Sequence, residues 1–91
     1  MDEQANPALP AAETLTPEQI AQHYKAMGDG VWLINAIIAG EADPNRSDED
    51  HKKAVEINVA HLEYMLTKPY WTNEDMTAVN AAIVAGKAYV G

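Results

Sequence analysis

The chain has 91 residues, 14 acidic against 6 basic, a formal net charge of −8 and no cysteine. Its length holds one domain with a modest core. Its charge excludes a phosphate-binding or anionic-membrane surface, which needs clustered Lys and Arg, and the lack of cysteine excludes a disulfide framework or a thiolate site. Neither nucleic acid nor membrane is therefore expected as a partner. The carboxylates are scattered along the chain, which is a solubilising pattern and not that of a DNA mimic.

Residues 1–15 read as an extended arm. Pro7 and Pro10 lack N–H donors and fix φ, and Ala5, Ala8, Ala11 and Ala12 offer little side chain to pack. The acidic start, Met1-Asp2-Glu3-Gln4, has no apolar segment behind it, so no secretory signal is expected. Pro7, Leu9 and Pro10 are the arm's candidate contacts with a partner or a neighbouring copy.

Residues 16–91 read as a three-helix domain, with helices over about 17–39, 48–67 and 73–86 by periodicity and capping. The first opens at Thr16-Pro17-Glu18-Gln19, where Thr16 suits the cap, Pro17 the first helical position and Gln19 the return bond of a capping box. Apolar residues then fall at Ile20, Tyr24, Met27, Val31, Ile34 and Ile38 without losing phase across Gly28-Asp29-Gly30. Two glycines cost about 1 kcal/mol each relative to Ala inside a helix. The unbroken phase nevertheless predicts one helix, with a cap at Asp29 and a second short helix as the alternative. Gly40 is placed for a left-handed C′ position.

The distal half of this helix lies in Gly28–Gly40, the most apolar run in the chain, bounded by glycines and with Trp32 near its start. Leu33 and Ile37 project roughly 200–240° from Val31 at 100° per residue. The run is thus apolar on two sides, and either the other helices enclose it or a partner covers one side. Trp32, Leu33 and Ile37 are the candidate partner-binding residues on this helix.

The loop after Gly40 holds Asp43, Asn45 and Ser47, which imitate the start of an EF-hand. Asp48 stands where that loop needs glycine and Ala54 where it needs a bidentate glutamate. Ser47 is better read as the cap of the second helix, followed by Asp48, Glu49 and Asp50 at the positive end of its dipole. That helix carries Val55, Val59, Leu62, Met65 and Leu66 on one stripe and ends before Pro69. Tyr70 and Trp71 then crowd the connection. They either pin the turn to the core or form a recognition patch, since Tyr and Trp dominate binding hot spots. The third helix is predicted to open at Thr72 as cap, to carry Met76, Val79, Ile83 and Val84 inward, and to stop at Gly86. Ala36–Gly40 and Ala82–Gly86 are similar segments, explained as two helix endings.

Candidate chemistry is sparse. His23, His51 and His61 include no i, i+4 pair, and Ser47 is spent as a cap. No glycine-rich phosphate loop follows a strand. No catalytic residue, cofactor or metal is therefore expected.

Tyr70-Trp71-Thr72-Asn73-Glu74-Asp75-Met76-Thr77-Ala78-Val79-Asn80-Ala81-Ala82-Ile83 resembles helical segments of small tailed-bacteriophage proteins. The acidic, cysteine-free composition with a Pro/Ala arm is similar in style to phage capsid decoration and head-completion proteins. The resemblance covers about the last quarter of the chain and transfers no functional residue. It implies a structural or assembly role in a virion, or in the host cytoplasm during assembly. The partner would be a capsid or tail protein or further copies of the chain, in a homo-oligomer or a larger assembly. A small acidic inhibitor of a host protein is the alternative, its charge steering it to a basic target.

Overall fold

The computed structural model describes residues 15–91, which form an all-α bundle: α1 (Pro17–Ile38), α2 (Asp48–Leu66) and α3 (Thr77–Val90). Each helix packs against both others. No strand occurs among the described residues.

The start of α1 is fixed by a complete capping box. The Gln19 N–H donates to Thr16 Oγ1 at 3.1 Å, and the Thr16 N–H donates to Gln19 Oε1 at 2.9 Å. Leu15 and Ile20, both half-buried, occupy the two positions of a hydrophobic staple around this cap. α1 runs unbroken through Gly28-Asp29-Gly30. It ends at Gly40, whose φ of 76° is one a side chain would resist. There the Gly40 N–H donates to Ile37 O at 3.0 Å and the Glu41 N–H to Ala36 O at 2.8 Å, the two bonds of a Schellman motif.

The core face of α1 is Met27, Gly30, Ile34 and Ile37, with Ala36 beside it. Met27 and Ile34 of the expected seam lie on this face, whereas its other members, Ile20, Tyr24, Val31 and Ile38, run along one edge of it. Tyr24 and Val31 are half-buried, and Ile38 is exposed. A projection of ~240° from Val31 in one sense is ~120° in the other, and Ile34 and Gly30 fill that arc. The two apolar sides are therefore one broad face, and α2 and α3 cover most of it. Gly30, which has no hydropathy to register, sits in the middle of that face. A Cβ built there would lie 3.2 Å from Asn58 Oδ1 on α2.

Helix α2 is capped by Ser47, whose Oγ accepts from the Asp50 N–H at 3.1 Å. It buries Val55, Val59, Leu62 and Met65. Its exit is pinned by the indole of Trp71, whose Nε1–H donates to Met65 O at 2.8 Å.

The third helix lies four residues later than expected at both ends, at 77–90 in place of 73–86. Thr72 is in a turn, and the carboxylate of Asp75 accepts from the Thr77 N–H at 3.0 Å. Asp75 thus satisfies an orphan donor at the start of α3. Gly86 does not end the helix. It lies inside α3, buried, and the chain continues to Val90. Its likeness to Gly40 is one of sequence only, because Gly86 permits contact between helices while Gly40 permits a turn. Val84, expected to point inward, is 70% exposed, and Ala82 takes the buried position in its place.

The hydrogen bonds from the Thr77 side chain and backbone hold the Asp75 carboxyl below the usual carboxylate range. A folded pKa below the unfolded one gives a contribution that is full above the ordinary carboxylate value and lost as pH falls through the lower folded value. An NMR titration is expected to show the Asp75 carboxyl protonating at a lower pH in the folded protein than in the urea-unfolded chain. Asp75→Asn should remove that part of the acid sensitivity.

Candidate protein-binding surface

The bundle sorts the candidate residues into different environments. Ile37 is 4% exposed and belongs to the core, and Leu33 is half-buried against it. Both are occupied inside the monomer, so neither is available to a partner in the way Trp32 is. Trp71 is also half-buried against the core, and its indole N–H is bonded to α2. Tyr70 stands edge-on to Trp71 with ring centroids 5.6 Å apart, and Tyr24 of α1 lies 6.3 Å from Trp71 on a tilted plane. This aromatic trio joins the α2–α3 turn to α1, which is the anchoring arrangement. Pro7, Leu9 and Pro10 lie outside the described residues.

Trp32 is different. It is 67% exposed on α1 and, with Asn35, Ala36, Ala39 and Glu41, lines a shallow recess of about 410 Å³. The helix places Trp32, Asn35, Ala36 and Ala39 on one side because 3- and 4-residue steps share a face. The small alanines leave room for the recess beside the indole. Asn35 and Glu41 supply polar groups at its edge. An indole so placed leaves about two thirds of its surface in solvent, and its ring pairs a large apolar face with one N–H donor.

Sequence reasoning missed a second set of exposed apolar side chains. Ile57 and Tyr64 are 61% and 58% exposed and lie seven residues apart on α2, hence on one stripe. The Lys68 ammonium sits 4.8 Å from the centroid of the Tyr64 ring, a cation–π contact at the end of that stripe. The signal was present in the sequence, since both residues flank the main α2 seam. Periodicity alone does not say which flank the neighbouring helices reach.

Two further recesses lie between helices. One, of about 280 Å³, is lined by Tyr24, Gly28 and Val31 of α1 and by Asp75, Ala78 and Val79 around the start of α3. The Tyr24 hydroxyl donates across it to Asp75 O at 2.6 Å. The other lies between α2 and the end of α3, where Glu63 pairs with Lys87.

Among the described residues no group of three or more His, Cys, Asp or Glu is placed to hold a metal ion. The His51 ring lies 2.9 Å from Asp43 O, in the loop before α2. No helix of the described residues is long and apolar enough to cross a membrane. No protein-family profile, curated protein or solved structure matches the chain.

Proposed function

We propose that this chain is a non-catalytic protein–protein interaction component that engages its partner with Trp32 and the recess it lines. The observation that carries the reading is the exposure of Trp32. A tryptophan left outside a bundle that buries its other large apolar residues on α1 more deeply is the kind of side chain that anchors interfaces. The resemblance of Tyr70–Ile83 to helical segments of tailed-phage proteins directs this reading to a virion decoration or assembly part. In that role the partner is a capsid or tail protein, or further copies of the chain.

Affinity purification with the full-length chain, followed by mass spectrometry, tests it. The expected result is capture of a virion structural protein, or self-association visible by light scattering. Capture of a single host protein in the absence of any particle component would overturn the assembly role in favour of an inhibitor. In that case the net charge of −8 would serve steering toward a basic target.

A further inference from the structure

The recess between α1 and α3 differs from the Trp32 surface in its distance from the arm. Tyr24, Gly28 and Val31 lie on the same side of α1 as Ile20, within an arc of ~80° at 100° per residue. Ile20 is the inner member of the staple position that Leu15 completes, so the chain enters the helix on the stripe that leads to this recess. Gly28 contributes no side chain, and a Cβ built on it would meet nothing within 4 Å. The recess is thus open along α1, and it is bounded by the Tyr24 ring with Trp71 behind it.

We propose that the segment Pro7-Ala8-Leu9-Pro10 of the same molecule docks in the recess formed by Tyr24, Gly28, Val31, Asp75, Ala78 and Val79.

The segment has the Pro-x-x-Pro form of polyproline II ligands, which bind aromatic-lined grooves with little loss of conformational entropy. Pro7 and Pro10 bring no N–H to be left unsatisfied against an apolar wall. Leu9 is the one large aliphatic residue between Asp2 and Thr14. The Tyr24 hydroxyl, which already donates to Asp75 O, keeps lone pairs to accept a backbone N–H from Ala8 or Leu9.

Reach selects this recess. From Leu15 back to Leu9 is six residues, about 19 Å in polyproline II. From Thr16 to Tyr24–Gly28 is about 12–18 Å along the helix, whereas Trp32–Ala39 lies about 24–35 Å away. The arm of one molecule therefore places Leu9 at its own Tyr24 recess and cannot place it over its own Trp32 recess. This inference is independent of what binds Trp32.

The test is paramagnetic relaxation in the full-length protein. The chain has no cysteine, so Ala5→Cys gives a unique spin-label site. The expected result is broadening of Tyr24, Val31, Ala78 and Val79 signals, with Ala36 and Ala39 unaffected. That broadening should be lost in a Leu9→Ser, Pro10→Gly background and in Gly28→Gln, which fills the recess from an exposed position. Helical circular dichroism should be unchanged in both. Broadening that persists in both backgrounds would show proximity from the tether alone and overturn docking. Broadening seen only between spin-labelled and isotope-labelled copies in a mixed sample would overturn it in favour of a neighbouring molecule. An absence of broadening at the recess in the wild-type background would overturn it outright.

Discussion

Gly86→Val is expected to be the most damaging single substitution in this chain. Gly86 lies where α3 meets both other helices. A Cβ built there would sit 2.5 Å from Val59 Cγ2, 3.1 Å from Val55 Cγ1 and 3.5 Å from Ile34 Cγ2. The first distance is far inside contact, and the atoms met are γ-methyls of stiff β-branched residues in the core, so they cannot swing aside. Overpacking of this kind costs about 1–3 kcal/mol for added methylenes. Alanine recovers about 1 kcal/mol of helix propensity, so Gly86→Ala should lose up to about 2 kcal/mol net. Valine adds two further methyls without that gain and should leave little folded protein. Gly28 is the matched control, since it is exposed with open space around its Cα. Gly28→Ala should gain about 1 kcal/mol through propensity alone. Urea denaturation of the variants checks both signs. A Gly86→Ala protein as stable as Gly28→Ala would mean that the three helices do not close on Gly86 as described.

Leu62→Ala is expected to follow closely. Leu62 is fully buried, one of four large side chains with essentially no exposure, alongside Met27, Ile34 and Val55. A leucine-to-alanine change at such a site costs about 2–5 kcal/mol, the upper part reflecting a cavity that does not collapse. Collapse is hindered here by Gly30 opposite, which has no side chain to move into the gap. A bundle of this size draws on a total of about 5–15 kcal/mol, toward the lower end for a small core. The variant should therefore show a denaturation midpoint shifted to roughly half the wild-type urea concentration. A shift smaller than that of Gly86→Ala would contradict the placement of Leu62 at the centre of the core.

Much of this architecture was legible because local chemistry and the bundle agree. Thr16 with Gln19, Ser47 and Gly40 stand where their capping chemistry places them, and each makes the bond that chemistry requires. Reading failed where a residue acts through what it lacks. Gly30 and Gly86 contribute no hydropathy, yet each sits where side chains of a neighbouring helix leave little or no room for a Cβ. Gly86 was mistaken for a terminator, since a glycine near the end of an apolar run carries the same local signal in either role. Thr72 failed for a related reason. Its cap pattern is sound locally, but Trp71 must turn back to bond Met65 O, and the chain is not free to start a helix until Asp75.

The candidate surface was legible only in part. Trp32 and Leu33 are neighbours in sequence and Ile37 lies one helical turn on, and which of them faces outward depends on where α2 and α3 sit. The structure divides them: Ile37 is inside, Leu33 is at the margin and Trp32 is outside. Ile57 and Tyr64 were hidden among seam-flanking positions for the same reason.

The central claim is that Trp32 serves a partner and not the fold, and Trp32→Ser tests it most directly. The measurement is the affinity of the captured partner, or of self-association, for wild type and variant side by side. The account predicts an unfolding free energy within about 0.5 kcal/mol of wild type, as for an exposed position away from special features. It also predicts a loss of affinity of about thirtyfold or more, the scale of a tryptophan hot spot at about 2 kcal/mol. Unchanged affinity with unchanged stability would contradict it.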